Sequence, residues 1–268
     1  MEDEKYGDLL RQKGFRGFPT LAFMDAEGEV LTSKVSRAVP AFRRTAAVLA
    51  TVAELSKADK EGKLEGDAAA KLLLARIDLG EMDLARATER RNAIKGPLSE
   101  ASKQSLSERI TDLEVAAIVD RHQQEAMPKR NELMQALRTK PGGEQPTAEQ
   151  RREVSSKLAA ISSEMTQAVA TDLQAIVDSG RKPSDDGALS FWSYLLRDGT
   201  MRKDAKAIED AKAALTALAE RRPDLKHNIE RMLNPQAAVP GRVIPATPLR
   251  APAAEPKKTG SGKKDGGE

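Results

Sequence analysis

The spacing of hydrophobic and polar positions changes character once along this chain. Near the start, Phe18-Pro19-Thr20-Leu21-Ala22-Phe23-Met24 is a short apolar run rich in strand formers, and residues 29–35 (EVLTSKV) alternate. Asp25-Ala26-Glu27-Gly28 between them is a turn, because Gly28 tolerates positive φ. The pattern predicts a β-hairpin. A short helix over 3–13, interrupted by Gly7, precedes it. Pro40 then suits a helix start, where its missing N–H costs nothing. Residues 41–57 predict a helix with Phe42, Ala46, Leu49, Val52 and Ala53 near one face.

From about residue 58 every periodic segment has helical spacing. The predicted helices cover 67–79, 82–95, 99–126, 128–139, 147–178, 187–198, 201–221 and 224–233. Gly80 separates the first two as a tight hairpin. Gly96-Pro97 stops the second. The run Lys140-Pro141-Gly142-Gly143-Glu144-Gln145-Pro146 is a loop, and Thr147 with Gln150 makes a capping-box start. Gly180 to Ser184 is a second loop. The first of the helices carries Leu72, Leu73, Ala75, Ile77 and Leu79 as a stripe to bury against neighbours. Segment 67–95, with small Ala68, Ala75, Gly80 and Ala87, resembles one tetratricopeptide-like hairpin, and 189–218 resembles a second. Their spacing is too irregular for an array. After Pro235 the chain is rich in Pro, Gly, Lys and Ala and is expected to be disordered.

Composition agrees with a mainly α chain. Aromatics are only 3% of residues, so cores must be built from Ala, Leu, Val and Ile, which together with abundant charge favours helices. The net charge of +3 is confined to residues 234–268, where Arg242, Arg250, Lys257, Lys258, Lys263 and Lys264 exceed Glu255, Asp265 and Glu268. A balanced body argues against a nucleic-acid face. The tail lysines are few and partly neutralised, which favours a solubilising role. No stretch is long and apolar enough for a membrane span. The acidic Met-Glu-Asp-Glu-Lys start lacks the apolar core of a signal peptide. A cytoplasmic location is expected if the chain is complete, and an exported one is open if it extends upstream.

The chain has no cysteine, which excludes disulfides, cysteine nucleophiles and thiolate metal sites. His122 and His227 lie far apart on charged segments, so a surface role is favoured over a metal or catalytic pair. Asp185-Asp186 precedes a predicted helix and is read as a capping and dipole pair. Phe191, Trp192 and Tyr194 cluster where aromatics are otherwise scarce. They either fill the core between the last helices or line a peptide groove as rigid anchors. The apolar run continuing through Leu195 and Leu196 favours the core. Gly142-Gly143 lacks the Lys-Ser/Thr of a phosphate loop. No cofactor and no metal is implied.

Residues 14–35, GFRGFPTLAFMDAEGEVLTSKV, resemble the second half of the thioredoxin fold: a Gly-x-x-Gly-x-Pro-Thr approach, an apolar strand, a Gly turn and a second strand. Residues 39–55 are similar to the closing helix of that family, so the resemblance covers about a fifth of the chain. It implies a cis bond between Phe18 and Pro19. It also implies a substrate-facing edge at Phe18, Pro19 and Thr20. The family's redox half, with its Cys-x-x-Cys turn, has no counterpart here, and Ser36 stands where the family usually has Gly after the second strand.

The expected architecture is therefore mainly α. A partial thioredoxin-like α/β hairpin-helix unit occupies 1–57, a linker 58–66, an all-α tetratricopeptide-like domain 67–233 and a disordered tail 234–268. Two functions follow as expectations. One is a thioredoxin-family protein, redox-inactive in this chain, whose parent family contains thiol–disulfide oxidoreductases. The other is a non-enzymatic helical adaptor. Both imply a protein or peptide partner, no nucleic acid and no membrane span, and leave the oligomeric state open.

Overall fold

The computed structural model describes residues 22–24, 30–32, 39–138 and 145–234. These form a mainly helical chain with one small antiparallel sheet. The expected short helix over 3–13, the Phe18-Pro19-Thr20 edge with its peptide bond, and the tail beyond residue 234 lie outside the described residues.

Strand β1 is Phe23–Met24 and β2 is Val30–Thr32. They pair antiparallel, Phe23 opposite Thr32 and Met24 opposite Val30, with a register irregularity between Phe23 and Met24. Helix α1 follows at Val39–Lys60. The Phe42 ring stacks on Phe23 at a centroid distance of 4.7 Å, which seats the hairpin on the helix. Residues 58–60, within the segment expected as a charged linker, continue α1. Asp59 there pairs with Arg76 at 3.3 Å and Arg90 at 3.9 Å, so this end of α1 is held against the next two helices.

Helices α2 (Gly66–Asp78) and α3 (Leu84–Ala93) form the expected hairpin around Gly80. Leu72, Leu73, Ala75, Ile77 and Leu79 are all buried. They do not form one stripe. Positions this close in number point around most of a helix, and α2 can bury them because α1 covers one side while α3 and α4 cover the other. Ala87 is fully buried against this cluster, whereas Ala68 is exposed and Ala70 takes the tight-packing position instead.

Helix α4 is a single long element, Glu100–Ala136, with Pro128 inside it. Two helices with a break near residue 127 are expected from sequence, since proline removes a donor and clashes with the carbonyl one turn earlier. The helix continues because the cost is confined to one turn, and because the segment beyond it is almost wholly exposed and meets no obstacle. Helix α5, Ala148–Asp178, begins with the expected capping box. Thr147 Oγ1 accepts from Gln150 N at 3.2 Å, and Gln150 Oε1 accepts from Thr147 N at 3.0 Å. Together α4 and α5 make a long helical hairpin.

Helices α6 (Asp185–Arg202), α7 (Ala205–Arg221) and α8 (Pro223–Leu233) close the described fold. A break near Gly199 is expected from sequence, but Gly199 lies inside α6. A Cβ there would stand 3.2 Å from Ala207 Cβ and 3.3 Å from Ile208 N, so the missing side chain lets α7 cross close to α6. The helix ends instead at Lys203, a non-glycine residue at φ 58°. Core clusters lie at α2–α3–α4, at α4–α5–α6 and at α6–α7–α8. Among the described residues no helix is long and apolar enough to cross a membrane.

Candidate functional site

Three features concentrate chemistry in the described residues: a charged junction, a histidine bridge and an apolar groove. The junction lies where α2, α4, α6 and α7 meet. Asp112 of α4 reaches the start of α6. Its Oδ1 accepts from Ser184 N at 2.9 Å and its Oδ2 accepts from Ser184 Oγ at 2.6 Å. Ser184 is itself the N-cap of α6, its Oγ accepting from Asp186 N at 3.2 Å. Arg109 donates to Asp112 at 2.9 Å and also pairs with Asp78 and Asp186. Arg222 donates to Asp186 at 2.5 Å and to Asp224 at 2.8 Å, and Arg221 donates to Asp185 at 2.9 Å.

The electrostatics follow from this packing. Burial holds the Asp112 carboxyl above its ordinary range, and the bonds from Ser184 and Arg109 only partly oppose that. Burial also works to lower the Arg109 pKa, but the carboxylates of Asp78, Asp112 and Asp186 outweigh it. The bond from Arg221 holds Asp185 below its ordinary range. Asp185 and Asp186 are thus first-turn carboxylates of α6, as expected, and also anchors for α7 through Arg221 and Arg222. The arginines at this junction are each matched by a carboxylate. The arrangement fixes how the helices dock and leaves little net field for an anionic ligand.

His122 bridges α4 and α5. Its Nε2 lies 2.7 Å from Asp172 Oδ2, its Nδ1 lies 3.3 Å from Glu125 Oε2, and its side chain is only 14% exposed. A plain surface role therefore fits His227, which is exposed on α8, better than His122. The two histidines sit on different elements. No group of three His, Cys, Asp or Glu among the described residues is placed to hold a metal ion.

The aromatic cluster divides. Phe191 is 1% exposed and sits in the α4–α5–α6 core. Trp192 meets it edge-on at 5.1 Å and packs against both neighbouring clusters. Tyr194 is half-buried against the same core as Phe191. None of the three lines the nearby groove. Their shared burial reflects position: α6 is packed against α5 on one side and α7 on another, and residues 191, 192 and 194 all face those contacts.

The groove lies between α6, α7 and α8. Leu196 forms its floor, and Ile208, Leu233 and the exposed side chains of Met201 and Met232 form its walls. Arg197 and Lys212 stand at its edge. The core placement favoured from sequence for Phe191, Trp192 and Tyr194 agrees with their packing, and the groove draws on other residues of α6. The signal that marks the groove is methionine at 201 and 232, large apolar residues left in exposed positions. Asp198 was also missed. It is 4% exposed, with Oδ2 receiving Arg202 Nε at 2.7 Å and Oδ1 without a hydrogen-bond partner among the described residues. Its four-residue spacing from Arg202 was the available signal.

The chain matches no protein-family model, no curated protein and no solved structure.

Proposed function

We propose that this chain is a non-enzymatic helical module that binds a protein partner through the α6–α7–α8 groove. The observation that carries this reading is the pairing of a buried apolar floor at Leu196 with two exposed methionines, Met201 and Met232, on its walls. Methionine is unbranched and polarisable, and it adapts to varied apolar partners. Exposed apolar side chains gathered around a concavity mark interaction sites. The charged junction at the other end of the α6–α7 pair supports a rigid frame, since Arg221 and Arg222 at the end of α7 pair with Asp185 and Asp186 at the start of α6. In this reading α2–α3 and α6–α7 are tetratricopeptide-like pairs.

A peptide-display selection followed by calorimetry tests it. Selected binders should lose at least tenfold in affinity against Met201→Gln/Met232→Gln, a double variant at exposed positions that keeps good helix formers. Binders indifferent to that variant would overturn the reading.

A second reading concerns the start of the chain. Antiparallel pairing of β1 with β2 and the Phe23–Phe42 stack favour a thioredoxin-like hairpin with its closing helix. The substrate-facing edge would be Phe18, Pro19 and Thr20. Without cysteine no thiolate is present to attack a disulfide, so the pure chain should leave a test disulfide unreduced. Amide exchange is the check on the hairpin: protection should alternate over 19–24 and 29–35, and a helix over 19–22 would exclude this reading.

A further inference from the structure

The groove has a charge asymmetry that points to the chemistry of its occupant. Ser193 Oγ lies 2.5 Å from the Leu189 carbonyl and 3.2 Å from Met232 Sδ, and Thr200 Oγ1 donates to the Leu196 carbonyl at 2.7 Å, so both hydroxyls already have partners within the chain. Among the described residues no carboxylate lines the groove, whereas Arg197 and Lys212 both do. Neither cation has an ion-pair partner among the described residues. On the same two helices Arg202 pairs with Asp198 and Arg221 with Asp185, while Lys206 of α7, which has no ion pair among the described residues, does not line the groove. Two unmatched cations beside an apolar floor favour a ligand that brings its own carboxylates.

We propose that the groove takes a short amphipathic helix of a partner protein, apolar along one face and carrying Asp or Glu on its flanks. This rests on the reading of the chain as a protein-binding module. The lining positions on α6 run from Ser193 to Met201, about 12 Å at 1.5 Å per residue. That length matches two turns of a helix anchored at i, i+3 or i+4, and i+7. Charge also argues against two other occupants. The chain's own segment 235–250 has apolar Val239, Val243, Ile244 and Leu249, but its charges are Arg242 and Arg250, the same sign as the rim. A second copy docked by a two-fold axis would bring the same patch against itself and set Arg197 and Lys212 against their own kind.

The test uses the full chain and three fluorescein-labelled helical peptides with one shared leucine stripe, flanked by Glu, Gln or Lys. Fluorescence anisotropy at low salt should show the Glu peptide binding at least tenfold more tightly than the Lys peptide. The gap should narrow as salt rises. Arg197→Glu/Lys212→Glu should reverse the order, and circular dichroism should show its helix content unchanged. Equal affinity for all three peptides, lost in Met201→Gln/Met232→Gln, would overturn the acidic-flank proposal and leave the protein-binding reading standing. Failure of every peptide to bind, or binding indifferent to the methionine variant, would overturn both. Displacement of the Glu probe by a synthetic 235–250 peptide would assign the groove to the chain's own tail. Loss of binding only at concentrations where the chain dimerises would assign it to a second copy. Either result overturns the proposal.

Discussion

Substituting Gly187 by alanine tests whether Asp112 holds the start of α6. A Cβ at 187 would stand within 2.8 Å of Asp112 Cγ and closer still to Oδ1. The end of an aspartate is normally free to move aside. Here it is anchored by Ser184 N at 2.9 Å and Ser184 Oγ at 2.6 Å, and its side chain is only 13% exposed. Moving it sacrifices two hydrogen bonds to a charged group, about 1.5–3 kcal/mol each. The hydroxyl can partly follow by rotation, and alanine returns up to about 1 kcal/mol of helix propensity. The net expectation is a loss of about 2–4 kcal/mol, which lowers Tm by roughly 4–16 °C for a chain of this size. Urea unfolding followed by the fluorescence of Trp192, the chain's one tryptophan, measures it. The decisive arm is a double-mutant cycle. In an Asp112→Ala background the obstacle is gone, and only Pro183 Cβ at 3.3 Å must yield slightly. There Gly187→Ala should be neutral or stabilising by up to about 1 kcal/mol, giving a coupling of at least about 2 kcal/mol. Additivity of the two substitutions within about 0.5 kcal/mol would show that Asp112 does not oppose a side chain at 187.

Other positions give independent checks. Phe191→Ala should cost about 3–5 kcal/mol, because the ring is fully buried and leaves a cavity; a loss below about 1 kcal/mol in thermal unfolding would contradict its core assignment. Asp185 has a folded-state pKa below its ordinary value near 3.8, because of the bond from Arg221, so its contribution is present above that value and is lost as pH falls through the folded pKa. The stability gap between wild type and Asp185→Asn should therefore be widest near neutral pH and shrink below about pH 4; a gap that widens on acidification would reverse the sign of the argument. Pro128→Ala should restore one backbone bond inside α4 and remove a clash, a local gain of up to about 3 kcal/mol. Hydrogen exchange should then slow for residues 128–136, and unchanged exchange there would contradict a strained turn.

Much of the local structure was legible in the sequence because its causes act within about one helical turn. The capping box at Thr147 and Gln150 placed the start of α5 to within a residue. Gly80 separated α2 from α3, and the apolar run ending at Phe23-Met24 with the alternation around Val30 marked the paired strands. Where a local rule failed, a neighbour or its absence decided. Pro128 stays helical in an exposed stretch, and Gly199 is not a break but a place where α7 packs close against α6. Composition alone was enough to predict a mainly α chain, since few aromatics and much Ala, Leu, Lys and Glu leave helices as the economical way to satisfy the backbone. Asp112 and Ser184 lie 72 residues apart, and no periodicity relates them. The groove draws its lining from three helices, with Leu196, Ile208 and Met232 each on a different one. Phe191 and Met201 are both large apolar residues on α6, yet one is core and the other is exposed wall. That difference depends on the angle at which α5 and α7 cross α6, which is set by interlocking side chains far apart in sequence and only in the folded chain.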